Sequence, residues 1–248
     1  MTHPIYGLFA KMDEMITSYP RDMVRVPWTD GLIKHTSFFP GGYGFIKATT
    51  DDLPAWPEGK VMIVGNDWGN EKLFYQALLA QKKVEGDGPT WSGIRDLLEG
   101  LINYEDCFFT NAFMGLREDA LPWKGECPGR RDSTFKAQCK AFLREQICKQ
   151  RPGLILTLGR WIPDMLSNLA PNLAGWRNDK TPHWSEIDSV GLLHDCIAFD
   201  SPPKFKFVVC ALTHPANARP NYKRRTYGIY ENEAGLLAAA LEAYAERR

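Results

Sequence analysis

The sequence predicts an α/β domain in three layers, α/β/α, around a central, mostly parallel four-stranded sheet. Three observations carry that expectation. Four short apolar runs, at 61–64, 107–111, 154–158 and 205–212, have the length and composition of buried strands. Segments with helical spacing alternate with them, and that order implies parallel pairing with helices on both faces. The 248 residues, 44% hydrophobic and 24% charged, suffice for one such domain with a sizeable core. With no repeat and no low-complexity linker, one domain is the simplest account. Residues 1–60 read as an N-terminal helix and loop extension packed on the core, and residues 61–248 as the α/β domain.

The extension opens with IYGLFAKMDEMITSY, where Ile5, Leu8, Phe9, Met12 and Ile16 share a helical face. Residues 20–57 are dense in Pro, Gly and aromatics and predict an ordered loop region with one strand, VRVPW (24–28). Val61–Val64 is the first sheet strand. Gly65 stops it, a polar loop follows, and KLFYQALLAQKK (72–83) predicts a helix. Gly88, Pro89 and Thr90 are loop chemistry, Trp91 sits in loop context, and Ile94, Leu97, Leu98 and Leu101 form a helical stripe. CFFTNAF is the second strand, ending at Asn111. A polar loop from Leu116 to Arg131 carries two prolines and the basic pair Arg130–Arg131.

A helix is expected over 133–150 with Phe135, Cys139, Phe142, Leu143 and Ile147 facing inward, ended by Pro152. LILTL (154–158) is the third strand, stopped by Gly159 and followed by a helix, WIPDMLSNL. Residues 171–203 read as irregular. FKFVVCAL is the fourth strand and ends at Thr213–His214–Pro215. The alanine-rich ENEAGLLAAALEAYAERR is the last helix.

Thirty basic residues balance thirty acidic ones, so bulk charge does not point to nucleic acid, and any DNA contact must rest on a local patch. Six cysteines include no CxxC pair and no zinc-like spacing, and read as reduced thiols of a cytoplasmic protein. There is no signal peptide and no apolar run long enough for a membrane.

Three predicted strands end in polar groups: Asp67, Asn111 and His214. Ligands of open α/β sheets bind at that carboxyl edge. Asp can activate water or stabilise a cationic centre, His can donate to a developing anion, and Asn can read an amide-like edge. Each has a plainer role as well. Asp67 could cap the next helix, Asn111 could bridge backbone, and His214 could be a turn residue. Trp91 could be a packing plug or a stacking surface, and RPNYKRR (219–225) a solvated turn.

GNDWG (65–69), WSGIRDLL (91–98), FFTNAF (108–113), the block AQCKAFLREQICKQRPGLILTLG (137–159) and THPANAR (213–219) resemble, in order, the motifs of the uracil-DNA glycosylase superfamily. The pattern is most similar to its bacterial and archaeal iron–sulfur branch and covers about residues 61–230. The resemblance implies a DNA glycosylase that cleaves the N-glycosidic bond of a flipped uracil or modified pyrimidine, in duplex or single-stranded DNA, and works as a monomer without cofactor. It assigns Asp67 and His214 to catalysis. Gly65, Asn66, Trp68, Gly69, Trp91 and Asn111 would bind the base, and Arg219, Lys223, Arg224 and Arg225 would contact DNA.

The sequence also departs from that pattern. The iron–sulfur branch uses four cysteines; Cys139 alone stands at a matching place, Gly115 replaces another, and the N-terminal pair is missing. No cluster and no metal are therefore expected. Trp68 stands where the family usually has proline, and Gly69 where strict uracil enzymes carry a tyrosine against 5-substituted bases. A bulky hypermodified cytosine of phage DNA, with a role in anti-phage defence, is an alternative substrate. A non-catalytic DNA-binding module is the alternative outside enzymes.

Overall fold

The computed structural model describes residues 3–26, 38–39, 55–79, 89–103, 106–122, 125–178, 180–190, 193–197, 205–217 and 225–247. The centre is a five-stranded sheet. It comprises β2 (Val61–Gly65), β3 (Cys107–Asn111), β5 (Leu154–Leu158), β6 (Leu193–Ile197) and β7 (Lys206–Leu212) in the order β3-β2-β5-β7-β6. The first four in that order are mutually parallel, and β6 pairs antiparallel with β7 at the edge. Helices flank the sheet, giving the expected three-layer α/β/α architecture. β2, β3 and β5 are buried along their whole length, as strands covered on both faces must be.

The sheet has five strands rather than four because β6 lies in the segment read as irregular. Its sequence, LHDCI, mixes polar and apolar residues, so no apolar run marks it. The same segment holds a helix, α6 (Trp184–Val190). A second, two-stranded sheet pairs β1 (Met23–Val24) antiparallel with β4 (Leu116–Arg117). β1 is shorter than the expected 24–28 strand and begins one residue earlier, while β4 lies in what reads as polar loop.

Helix α1 (Pro4–Met15) starts at a proline, with the His3 side chain accepting from the Ile5 N–H, and buries Ile5, Leu8, Phe9 and Met12. It packs on α4 (Ser133–Gln150). α4 matches its predicted bounds because both ends are chemically marked. Asp132 caps it by accepting from Phe135 N at 2.7 Å, and Arg151 closes it in the left-handed region.

Helix α2 spans Glu71–Leu79 and α3 spans Pro89–Leu98, so Trp91 lies within a helix and not before one. The expected 161–169 helix is a single turn, α5 (Pro163–Leu166), before a 3-10 stretch at Pro171–Trp176. Helix α7 (Glu233–Ala245), capped by Asn232, packs on β7.

One hydrophobic cluster runs from Ile5 of α1, through Phe38 and Phe39, across the sheet, to Tyr244 of α7. The described part of the N-terminal extension thus shares the main core. Phe39 is wholly buried and pairs with Thr110 in a parallel bridge, and a buried side chain of this size contributes about 1.5–3 kcal/mol. Among the described residues, no helix is long and apolar enough to cross a membrane.

Candidate active site

The carboxyl ends of β2, β3, β5 and β7 form one edge. Gly65 and Asn111 are register partners at the ends of β2 and β3. The pairing continues past the strands, with Ala112 N donating to Gly65 O at 2.8 Å and Phe113 N to Asn66 O at 2.9 Å. The Asn66–Asn70 loop is therefore held by backbone bonds. At the other end, Leu158 and Leu212 are in register, and Gly159 N donates to Leu212 O at 2.8 Å.

Asp67 sits in a dense set of donors. Its Oδ1 accepts from Gly69 N at 2.8 Å, and its Oδ2 from Asn66 Nδ2 at 2.9 Å and from Arg117 Nη2 at 2.7 Å. Arg117 Nε lies within 3.3 Å of both oxygens. The two side chains are 4% and 3% exposed. Arg117 also donates to the carbonyls of Pro122 and Gly125, both at 2.9 Å. β4 delivers Arg117 here, because Arg117 N donates to Gly69 O at 2.8 Å. A carboxylate offers about four acceptor positions, and those of Asp67 are largely taken. It is suited to supplying a fixed negative charge and poorly suited to shuttling a proton.

Capping of α2 falls to Asn70, whose Oδ1 accepts from Lys72 N and Leu73 N. Its amide donates to the carbonyls of Glu118, Asp119 and Leu121. Asp67 is thereby released from the capping role.

His214 follows β7 directly. Its Nδ1 accepts from Ala216 N at 3.3 Å, which places the neutral ring's proton on Nε2. Burial pushes its pKa below the usual 6.5, against an opposing pull from the charge of Asp67. Two glycines fit the chain around it. Gly159, at φ 109°, would place a Cβ 3.4 Å from His214 Cβ, and a Cβ on Gly93 of α3 would lie 2.6 Å from Pro215 Cβ. The WSG stretch of α3 therefore lies against the His-Pro turn.

The residue before His214 is anchored by a buried charge network. Glu233 Oε1 accepts from both the N–H and the hydroxyl of Thr213. Arg225 pairs with Glu233 at 3.2 Å and Asp188 at 2.9 Å, donates to Ala211 O, and lies against the rings of Trp184 and Tyr227.

Asn111 is 4% exposed, and among the described residues its side chain has no hydrogen-bond partner. Its Oδ1 stands over Gly65, where a Cβ would collide with it, and that same Cβ would be 3.0 Å from Phe38 Cε1. Phe38 makes edge contacts with Trp68, Trp91 and Phe109.

Of the residues singled out from sequence, Gly65, Asn66, Asp67, Trp68, Gly69, Asn111 and His214 thus share one sheet edge. Trp91 does not serve as an open stacking face. It is 5% exposed and packs against Phe38 and Phe109, the plug of its two readings. Arg225 is corrected as well: with no exposed side-chain surface and two carboxylate partners, it presents no cation to a phosphate. Arg219, Lys223 and Arg224 lie outside the described residues. Gly69, at φ 75°, is glycine for a backbone reason in addition to any pocket reason.

Arg117, Glu233 and Phe38 were not found from sequence. A buried arginine in a polar loop, a glutamate opening a helix and a phenylalanine in a Pro/Gly-rich loop carry no local mark of their partners.

Among the described residues, no three His, Cys, Asp or Glu side chains gather to hold a metal. Burial pushes the Cys139 thiol up to about 12. No family model matches the sequence, and no curated protein matches it as a relative.

Proposed function

We propose that this protein is a DNA glycosylase that hydrolyses the N-glycosidic bond of a flipped pyrimidine and leaves an abasic site. One observation carries the reading: a fixed carboxylate at Asp67, a buried amide at Asn111 and a neutral imidazole with Nε2–H at His214 stand on one sheet edge. The charge of Asp67 is felt at His214, which supports a shared role for the carboxylate and the imidazole.

The reaction separates charge. As the bond from C1′ to the base nitrogen breaks, its electron pair leaves with the base and positive charge grows on the sugar. The Nε2–H of His214 would donate to the base oxygen that takes up the negative charge. The saturated carboxylate of Asp67 supports the oxocarbenium-stabilising role over the water-activating one. Water adds to C1′ and its released proton neutralises the departed base anion, and no cofactor is required. A single preorganised donor of this kind contributes about 10²–10³-fold in rate in other enzymes. Asn111 offers one donor and one acceptor to the base edge. Phe38 lies beside Gly65 and Asn111 and packs on Trp68, Trp91 and Phe109.

The test is release of free base, with alkali-labile abasic sites, from oligonucleotides carrying uracil, 5-methyl, 5-hydroxymethyl and glucosylated pyrimidines, in single and double strands. Cleavage of at least one pyrimidine supports the reading and names the base. Tight DNA binding without base release from any of them overturns it in favour of a binding module.

A further inference from the structure

A second charged feature lies on the same side of the molecule. A cleft of about 450 Å³ opens between the 3-10 turn at Pro128–Arg131, the start of α4 and the 180–181 segment. Arg130, Arg131, Lys136 and Lys180 line it, with the hydroxyl residues Ser133 and Thr181. Among the described residues, one carboxylate, Glu126, is in the lining.

Among the described residues, Glu126 and Asp164 are each shared by more than one cation. Glu126 is shared by Arg130 at 3.2 Å and Arg131 at 3.1 Å. Asp164, behind the wall, is shared by Lys136 at 2.8 Å, Lys140 at 3.4 Å and Arg130 at 3.7 Å. Lys180 has no ion pair among the described residues, and Arg130, 4% exposed in its side chain, has an Nε–H with no acceptor. The crowding registers on Lys140. Its pKa is lowered, first by burial and then by the charges of Lys136 and Arg177, against the pull of Asp164.

The cleft adjoins the candidate site. α4 crosses over between the parallel strands β3 and β5, so it runs opposite to them and begins at their carboxyl edge. Gly125, the residue before Glu126, accepts from Asn66 at 3.3 Å and from Arg117 at 2.9 Å. One turn of chain separates the Asp67 cluster from the basic wall.

We infer that this cleft seats a backbone phosphate of the DNA whose base enters the Asp67–His214 site. The inference rests on the glycosylase reading and adds to it a phosphate clamp that the neutral net charge does not disclose. Clustered cations beside hydroxyl donors are the chemistry that grips phosphate, which positions a nucleic acid without reading its sequence. Holding the backbone next to the extruded nucleotide is what base flipping demands. The volume exceeds that of one phosphate.

The experiment uses the whole protein and a labelled duplex lacking any modified base, with affinity measured across a salt series. Arg131, with 82% of its side chain exposed, and Lys180, also exposed, can be replaced without disturbing the core. Arg131→Ala and Lys180→Ala should each flatten the salt dependence by about 1 in slope, and the double variant by about 2. Arg21→Ala, an exposed charge on another segment, should leave the slope unchanged. A separate titration with inorganic pyrophosphate distinguishes a seat for free phosphates.

If the wild type binds DNA and the double variant keeps its slope, the inference fails while the glycosylase reading stands. Pyrophosphate binding that needs Arg131 and Lys180, alongside DNA binding that does not, would also overturn it. Equal flattening by Arg21→Ala would assign the effect to bulk charge and reject the cleft. Failure of the wild type to bind DNA at all rejects the inference together with the reading beneath it.

Discussion

Arg117 lays its guanidinium against the carboxylate of Asp67, with Nη2 2.7 Å from Oδ2 and both side chains shielded from solvent. A buried pair of this kind is weak proof of net stabilisation, but removing one partner strands the other's charge. Arg117→Ala should therefore lower unfolding stability by about 3–5 kcal/mol and displace the Asp67 loop. Asp67→Ala should cost a similar amount, so its loss of activity must be read beside its melting curve. Denaturant unfolding of the two variants checks this; a loss under about 1 kcal/mol in both would mean that the pair behaves as an exposed one.

Glu233 serves the site from a distance, holding the N–H and hydroxyl of Thr213 immediately before His214. Thr213→Ala removes one hydrogen bond to a carboxylate and should cost about 1.5–3 kcal/mol. Glu233→Ala also leaves Arg225 buried against Asp188 alone and should cost about 3–5 kcal/mol. If Glu233 positions His214, Glu233→Gln should retain more base release than Glu233→Ala. Equal rates in the two variants would confine Glu233 to a stabilising role.

His214 supplies a pH signature. Its folded pKa lies below 6.5, so between that value and 6.5 the unfolded chain binds more protons than the folded one. Stability should then rise with pH through this window. The contribution is complete above 6.5 and is lost as pH falls toward the folded pKa. In His214→Asn the rise should be shallower. Parallel stability curves for the variant and the wild type over that window would contradict the burial assigned to this ring.

Gly69 tests base selection only if its backbone is respected. At φ 75°, a tyrosine would strain the turn whatever space it found, by about 1–2 kcal/mol. Asparagine tolerates that region and still adds a side chain. Gly69→Asn should thus fold and, if Gly69 opens room beside the pyrimidine 5-position, lose activity on 5-substituted bases before uracil. An unchanged substrate profile would leave the turn as the sole reason for this glycine.

What sequence made legible follows from where the physics is local. Continuous apolar runs marked β2, β3, β5 and β7 because strands buried on both faces must be apolar throughout. Asp132, Arg151 and Pro152 mark the ends of α4, and that helix agrees with its predicted bounds. β6 escaped because its five residues carry no apolar run and its pairing with β7 is a tertiary fact.

The same division runs through the candidate site. Asp67, Asn111 and His214 were legible as polar residues that terminate apolar strands. Arg117, Glu233 and Phe38 reach the site from segments 50, 19 and 29 positions away from Asp67, His214 and Asp67 respectively, as the numbering shows. Arg225 was misread because a basic run resembles a surface strip until its carboxylate partners, Asp188 and Glu233, are seen.

The most direct measurement is single-turnover base release by His214→Ala and wild type on the pyrimidine the substrate panel identifies, with DNA affinity measured in parallel. Loss of the Nε2–H donor should slow release by about 10²–10³-fold while affinity for undamaged duplex stays the same. A variant that releases the base at the wild-type rate would contradict the assignment of this sheet edge as the catalytic centre.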